Sequence, residues 1–201
     1  MTVVKHELFK TFDAAYEGVA PWDIDHPQQA YIDLVQTGQL QGTVLDAGCG
    51  TGEHALYFAQ HGYDVWGVDI SPLAIKKAQE KAEQRGLNVT FQVVDAMELQ
   101  EVGRTFDTVT DCGLFHNFSD DERVTFVEKL KSVLKPGGTY FLHCFSQPLP
   151  HGAGPRGVSP EEIRASFAEG WKINAICPTH FELSITDYRP AAWIASITYQ
   201  G

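Results

Sequence analysis

The sequence has no apolar run long enough to span a bilayer, and its first residues lack the apolar core of a secretory signal peptide. Basic residues are scarce, because 15 Lys and Arg stand against 26 Asp and Glu, for a formal net charge of −11. A protein with this balance is not expected to bind the phosphates of nucleic acid or an anionic membrane surface. These absences predict a cytoplasmic protein whose partners are neither nucleic acids nor membranes.

Closely spaced cysteines are absent too, so no CxxC pair indicates a structural zinc site or a redox dithiol. The four that are present are Cys49, Cys112, Cys144 and Cys177. No internal repeat or low-complexity segment interrupts the 201 residues, and that length fits one domain. We therefore expect a single domain over residues 1–201, while its oligomeric state is left open.

Strand and helix patterns alternate along the middle of the chain. The predicted strands are 43–46, 63–68, 89–94, 106–110 and 139–145, and the predicted helices between them are 53–60, 72–85 and 120–134. This alternation is typical of βαβ units, so it predicts an α/β fold with a doubly wound, mainly parallel sheet and helices on both faces.

The two ends of the chain differ from the middle. The first forty residues predict two short helices, separated by a Gly- and Pro-marked loop at residues 18–23. Near the other end, residues 159–162 read Ser-Pro-Glu-Glu, a capping box that predicts the start of a helix. Two strand-like segments, 171–176 and 192–199, are then expected to pair antiparallel.

A glycine-rich segment, VLDAGCGTG at residues 44–52, follows the first strand and precedes a helix. Glycines are needed where the backbone turns sharply close to a ligand. A dinucleotide site usually has the spacing GxGxxG, whereas this loop reads GxGxG and has Glu53 in place of the third glycine. Glu53 would repel a pyrophosphate, and Asp46 adds negative charge before the loop. The pattern therefore favours a positively charged ligand without phosphate, such as S-adenosylmethionine.

The same segment resembles the first signature of class I S-adenosylmethionine-dependent methyltransferases, with a match over residues 40–146. The resemblance implies S-adenosylmethionine as the cofactor, S-adenosylhomocysteine as its product, and a Rossmann-like sheet of seven strands with an antiparallel C-terminal edge strand. It divides the chain into an N-terminal helical lid (1–40), a cofactor-binding core (41–146) and a C-terminal helix with a strand pair (147–201).

The resemblance also assigns residues to the cofactor. Asp69 matches the acidic residue that accepts both ribose hydroxyls, with Ile70 beside it. Asp95 matches the residue that takes the adenine amino group, while the Ala96 amide meets the ring and Met97 packs against it. Each aspartate could instead be a turn or cap residue. The other expected cofactor-binding residues are Trp22, Asp46, Gly48, Cys49, Gly50, Gly52 and Asp111.

Residues 16–24 and 27–28 resemble bacterial small-molecule methyltransferases similar to thiopurine and thiol methyltransferases, in which a tryptophan-bearing N-terminal segment folds over the cofactor. This likeness places Trp22 near the methionine part and the helix with Phe9, Phe12 and Tyr16 over the substrate. The same aromatics could simply pack the helix on the core. The residues expected to line the substrate pocket are Phe12, Tyr16, Trp22, Cys112, Phe115, His116 and Cys144.

The methyl acceptor is a small molecule that offers a thiol, a heteroaromatic nitrogen or a phenolic oxygen for in-line displacement. A neutral acceptor must lose a proton, and His116, in the loop after the fourth strand, is the candidate general base. A histidine bonded to backbone is the alternative reading of the same residue. A thiolate or a pyridine-like nitrogen would need no base.

Other functions stay open. No Asn-Pro-Pro-Tyr motif points to nitrogen acceptors of bases or glutamine, and the carboxylate set of the metal-dependent catechol branch has no counterpart, so no metal is predicted. One alternative is detoxification of a chalcogen or metalloid such as tellurite, for which Cys112, Cys144, His116 and His143 would offer soft ligands. The other is a non-catalytic protein that binds S-adenosylmethionine.

Overall fold

One sheet of seven strands organises the protein in the computed structural model, which describes residues 11–149 and 154–201. Phe9 and the rest of residues 1–10 of the expected lid lie outside the described residues. The strand order is β3-β2-β1-β4-β5-β7-β6. The strands are β1 Thr43–Ala47, β2 Asp64–Asp69, β3 Thr90–Val93, β4 Phe106–Cys112, β5 Leu134–Phe145, β6 Trp171–His180 and β7 Ala191–Tyr199. The predicted α/β, mainly parallel sheet is confirmed.

Strand β7 runs antiparallel to the other six strands of the described sheet. It lies between β5 and β6 and pairs antiparallel with both, so β6 forms the edge. β7 buries Ala192, Ala195 and Ile197, whereas β6 is exposed along most of its length. The apolar strand therefore takes the covered position, and the more polar strand takes the edge.

Helices cover both faces of the sheet because alternate strand residues face opposite sides. The helices are α1 Gln29–Gln36, α2 Glu53–Gln60, α3 Pro72–Arg85, α4 Asp120–Val133 and α5 Pro160–Ser166. Val44 belongs to the core under α1 to α3, and its neighbour Leu45 belongs to the core under α4 and α5. The same alternation holds for Phe141 and Leu142 in β5. No helix in the described ranges has both the length and the apolar character needed to cross a bilayer.

Local sequence signals account for the helix ends. Ser71 accepts a hydrogen bond from the Ala74 amide and begins α3, which ends at Gly86 with a left-handed backbone. Ser119 and Ser159 begin α4 and α5 with full capping boxes. Two 3₁₀ helices, Ala96–Val102 and Phe115–Asn117, were not predicted, because they follow turn geometry rather than a hydrophobic period.

The carboxyl ends of the parallel strands meet along one side of the sheet. The loops that follow β1, β2, β4 and β5 therefore lie next to one another, where α/β sheets bind ligands. Residues 11–15 are helical and lie across this side.

Candidate functional site

A cavity of about 450 Å³ opens at the carboxyl ends of the parallel strands. The loops after β1, β2 and β3 line one end, which holds Gly48, Asp69, Ile70, Asp95 and Ala96. The segments after β4, β5 and β6 line the other, which we call the acceptor end. Its described lining residues are Cys112, Gly113, Leu114, His116, Asn117, Phe118, Phe145, Leu149, Gly154, Pro155, Phe181, Leu183 and Ile185.

The glycine loop folds back onto the end of β2. The amides of Gly48 and Cys49 donate to the carbonyl oxygen of Val68, at 2.8 and 2.9 Å. Gly50 has φ +54°, and a Cβ atom there would lie 2.8 Å from the Tyr16 hydroxyl oxygen. Glycine is therefore required for both the backbone conformation and the close approach of Tyr16. Together with Gly52, the loop lines a small recess beside the main cavity.

Asp69 lies in the cavity with a defined orientation. One carboxylate oxygen accepts from the Gly50 amide and the other from the Ser71 amide, both at 2.9 Å. Burial raises the pKa of Asp69, and these amides partly offset the increase. Each carboxylate oxygen has a second acceptor direction, so the group can still receive two hydroxyl donors.

Asp95 and Ala96 line the cavity, but Met97 does not. Asp95 accepts a hydrogen bond from the Met97 amide at 2.9 Å and so begins the first 3₁₀ helix. The Met97 side chain packs against the hydrophobic core under α4 instead. The contact of Met97 with adenine stays a prediction, and the packing of its flexible side chain on the core does not favour it.

Asp46 is buried beneath the glycine loop and does not line the cavity. One of its oxygens accepts from the Thr110 hydroxyl at 2.8 Å, and the other has no hydrogen-bond partner among the described residues. Burial raises the pKa of Asp46 to about 7. A buried, unpartnered carboxylate oxygen beneath the loop fits a cationic group bound above it.

Glu53 does not act as the sequence suggested. Its carboxylate accepts from Lys81 at 2.8 Å and from both terminal nitrogens of Arg85, each also at 2.8 Å. Burial alone would raise the pKa of Glu53, but these two cations lower it. Its charge is therefore compensated, and the argument that Glu53 repels a pyrophosphate is wrong.

Asp111 positions the loop after β4 rather than contacting a ligand. It is fully buried and accepts from the Leu114 amide at 2.7 Å, the Phe115 amide at 3.0 Å and the Tyr140 hydroxyl at 2.7 Å. Burial still raises its pKa to about 7. The cofactor contact expected of Asp111 stays a prediction that this geometry does not favour, because both oxygens already accept hydrogen bonds from these donors.

Three aromatic side chains of the N-terminal segment, which we call the aromatic lid, contribute to the cavity wall. Phe12, Tyr16 and Trp22 all line it. The Trp22 indole donates to the Tyr16 hydroxyl at 3.0 Å, and its ring meets Phe12 edge-on at 5.8 Å. Trp22 is 40% exposed, whereas Tyr16 is 4% exposed. The lid is thus one connected aromatic unit with a buried end and an open end.

Polar contacts attach the lid to two other parts of the chain. Asp13 accepts from the Ser71 hydroxyl at 2.6 Å and from the Leu73 amide at 3.2 Å. Lys77 donates to the Tyr16 carbonyl oxygen at 2.6 Å. On the other side, the Ser184 amide donates to the Pro21 carbonyl oxygen at 2.8 Å.

Removing the Asp13 carboxylate is expected to loosen the lid. Asp13→Ala deletes two hydrogen bonds to the start of α3, so chymotrypsin should cut at Phe12, Tyr16 or Trp22 about tenfold faster. S-adenosylhomocysteine should slow cleavage of the wild type, because a filled cavity gives the aromatics more surface to cover. Asp25→Ala, on an exposed residue of the same segment, is the control. Equal cutting rates with and without S-adenosylhomocysteine would contradict a ligand-covering role.

Phe115 and Cys144 are fully buried and do not line the cavity, so this geometry does not support their assignment to the substrate pocket. Phe115 packs against Phe126 and Phe167 in the core, and the Arg123 guanidinium lies 4.9 Å from the centre of its ring. Cys144 lies in the same core. Cys112 does line the cavity, because it faces the opposite side of the sheet from its neighbour Asp111.

The expected soft-ligand set is not assembled. The Cys112 sulfur lies 3.5 Å from Nδ1 of His143, its partner in the register between β4 and β5. Cys144 follows His143 and therefore faces the other side of the sheet. Burial raises the pKa of both thiols. Within residues 11–149 and 154–201, no group of three or more His, Cys, Asp or Glu side chains is arranged to hold a metal ion.

His116 lines the cavity, but one nitrogen of its ring accepts a hydrogen bond from the backbone. The Phe145 amide donates to Nδ1 at 3.1 Å, and the two rings stack with centres 4.6 Å apart. Burial, together with the Arg123 charge, lowers the pKa of His116 to about 3. A general base needs a free ring nitrogen at working pH, so this geometry does not support that role.

Comparison with known proteins decides the family. A family described as a methyltransferase domain matches residues 44–138. The 2-heptyl-1-hydroxyquinolin-4(1H)-one methyltransferase of Mycobacteroides abscessus is 34% identical over 178 residues, covering 83% of this chain and 78% of that protein. The chain is a class I S-adenosylmethionine-dependent methyltransferase. This methyltransferase uses S-adenosylmethionine and acts on small molecules, whereas the narrower likeness to thiopurine and thiol methyltransferases is not among these findings.

Solved structures agree with the family. One, from work on the conversion of a disulfide bond into a thioacetal group during echinomycin biosynthesis, has a TM-score of 0.87 and is 35% identical, covering 96% of this chain and 91% of that one. The magnesium protoporphyrin IX methyltransferase of Synechocystis PCC 6803, with bound S-adenosylhomocysteine, has a TM-score of 0.75 at 21% identity, covering 97% and 99%. The latter likeness shows the shared fold.

Sequence reasoning missed much of the acceptor end of the methyltransferase. Phe145 could have been found, because it ends β5 at the edge where ligands bind. Phe181, Leu183 and Ile185 carry no local signal. They reach the cavity because the Gln28 side-chain amide bonds both the amide and the carbonyl oxygen of Glu182, at 2.8 and 2.9 Å.

Proposed function

We propose that the methyltransferase methylates an ionisable hydroxyl oxygen of a planar, mostly apolar heteroaromatic molecule. The composition of the acceptor end carries this proposal. Among the described residues that line it, none has a charged side chain. Phe145 and Phe181 line this end with ring centres 4.9 Å apart, and the lid aromatics line the same cavity. Flat apolar molecules bind well between aromatic faces, with a few polar groups to fix their orientation.

The acceptor must supply its own nucleophile. Nδ1 of His116 is occupied, and burial keeps the Cys112 thiol protonated, so neither is suited to take a proton. An acidic hydroxyl is therefore favoured, because it can lose its proton to water without a protein base. S-adenosylmethionine supplies an electrophilic methyl group. The chain aligns the acceptor with that methyl group and excludes water behind apolar walls.

We further propose which residues hold the cofactor. Asp69 would accept the two ribose hydroxyls, since its oxygens face the cavity and are oriented by two amides. Asp95 and Ala96 would meet the adenine, and the recess beside the glycine loop would take the methionine part under Trp22. The unpartnered oxygen of Asp46 would favour the positive charge of that part. The proposed cofactor contacts thus fall on the same residues to which the sequence resemblance assigns them.

The similar proteins supply two candidate acceptor chemistries. The Mycobacteroides abscessus relative is named for a hydroxylated quinolone, a flat heteroaromatic that matches the apolar acceptor end. The structure related to echinomycin biosynthesis is 35% identical and concerns a sulfur-containing group. A sulfur acceptor is therefore the second candidate, in line with the thiol alternative.

A panel of acceptors tests the proposal. Methyl transfer would be measured by mass spectrometry with 2-heptyl-1-hydroxyquinolin-4(1H)-one, the matched 2-heptylquinolin-4(1H)-one, 4-nitrothiophenol and tellurite. The hydroxylated quinolone should exceed the others in kcat/KM by about 100-fold or more, because a site that bonds a substrate oxygen discriminates strongly against its absence. Preference for the thiol would favour the second candidate. Turnover of tellurite alone would overturn both.

A further inference from the structure

The bonding of His116 defines which nitrogen carries its proton. A backbone amide is always a donor, so the Phe145 amide at 3.1 Å requires an unprotonated Nδ1. A neutral imidazole with a bare Nδ1 has its proton on Nε2. The stacking of His116 on Phe145, with the ring planes 27° apart, holds this orientation.

The surroundings of His116 keep the ring neutral. It is 6% exposed and packed against uncharged groups, namely Phe145, Phe181 and the backbone of Gly113. The charged group that acts on it is the Arg123 guanidinium, which also opposes a second proton. These surroundings therefore favour the neutral form of the His116 ring.

Nε2 is the strongest available donor at the acceptor end. The hydrogen bond given for His116 is the one at Nδ1, and the Gly113 carbonyl, which raises the pKa of His116, competes for the Nε2 donor. The side-chain amide of Asn117 is already used, since it donates to the carbonyl oxygens of Gly113 and Leu114 at 2.7 and 3.3 Å. The Cys112 thiol is a weak donor beside His143.

We propose that His116 binds the methyl acceptor as a neutral donor, with Nε2–H bonded to the acceptor oxyanion, and so selects the ionised form of a hydroxyl acceptor. This inference rests on the proposed function. The acceptor gives its proton to water, not to His116. The acceptor oxygen then forms a bond to the methyl carbon, the carbon–sulfur bond breaks, and its electron pair stays on sulfur as the neutral thioether of S-adenosylhomocysteine.

Two variants of His116 distinguish its role as a donor through Nε2–H from its role as the partner of the Phe145 amide through Nδ1. In His116→Asn, the side-chain oxygen can replace Nδ1 as partner of the Phe145 amide, but nothing replaces Nε2–H. In His116→Gln, the longer side chain can place an amide donor near the position of Nε2. His61→Asn, on an exposed histidine outside the cavity, is the matched control.

The tautomer is tested by ¹⁵N NMR on the full protein with S-adenosylhomocysteine bound. The expected result is an unprotonated Nδ1 and a protonated Nε2 for His116 between pH 6 and 9. A proton on Nδ1, or a ring that titrates in this interval, would overturn the proposal. This measurement needs no acceptor, so it stands even if the hydroxylated quinolone is not a substrate and the proposed function fails.

The role is tested by the pH dependence of kcat and kcat/KM with 2-heptyl-1-hydroxyquinolin-4(1H)-one. The wild-type kcat should rise to the pKa of the bound acceptor and then level off, whereas kcat/KM should follow the pKa of the free acceptor. His116→Asn should lower kcat/KM about 10- to 100-fold, mainly through KM, and shift the rise of kcat to higher pH. His116→Gln should recover most of that loss, and His61→Asn should match the wild type. Equal losses in both His116 variants with an unshifted profile would show that His116 only anchors the backbone.

Discussion

Asp69→Ala should weaken the binding of S-adenosylhomocysteine by about 100-fold or more. Under the proposed ribose contact, the change removes two hydrogen bonds to a carboxylate, each worth about 1.5–3 kcal/mol. Titration calorimetry against S-adenosylhomocysteine and NAD measures the effect. The wild type should bind S-adenosylhomocysteine and not NAD.

The matched variant is Asp69→Asn. It keeps one oxygen acceptor and the shape of the side chain, so its loss of affinity should lie between those of the wild type and the alanine variant. Unliganded Asp69→Ala should also melt at a lower temperature, because the Gly50 and Ser71 amides lose their partner. An affinity that is unchanged while the melting temperature falls would mean that Asp69 only holds the turn.

Asp111→Ala should be the most destabilising single carboxylate deletion at the site. It leaves the Leu114 and Phe115 amides and the Tyr140 hydroxyl without their acceptor in a fully buried region. Each unsatisfied donor costs about 1–3 kcal/mol, while relief from burying a carboxyl group returns part of that. We expect the free energy of unfolding to fall by about 3–5 kcal/mol, measured by urea denaturation.

Two controls define the origin of this loss. Tyr140→Phe removes one of the three donors and should cost less than Asp111→Ala. Asp64→Ala removes a surface carboxylate paired with Arg104, and it should change stability by no more than about 1 kcal/mol. A similar loss in Asp64→Ala and Asp111→Ala would contradict the role of Asp111 as the buried cap of the loop.

The parts of the site that could be predicted from the sequence are those whose geometry depends on residues close together in the chain. The glycine loop and the aspartates that end β2 and β3 belong to short segments whose geometry depends on neighbours a few residues away. Asp69 bonds the amide of Ser71, and Asp95 bonds the amide of Met97. Such turns form wherever the local sequence permits them, so their position at the sheet edge followed once the strands were recognised.

The site assignments that the geometry does not favour involve side-chain direction. Phe115 and Cys144 stand in the right segments, but both face the core rather than the cavity. A shift of one residue reverses the face of a strand, and a single 3₁₀ turn redirects the residues after it. Glu53 was likewise placed correctly, yet its charge is compensated by Lys81 and Arg85 on α3.

The sequence by itself determined the α/β fold, the methyltransferase family and the cofactor, because periodicity and a short motif encode them locally. Only the tertiary structure decided the walls of the acceptor end and the state of His116. Phe181 reaches the cavity through a loop that Gln28 bonds from 154 residues away in the sequence. The proton of His116 is assigned by an amide 29 residues further along the chain. Contacts of this kind depend on how distant segments pack, and no local pattern records them.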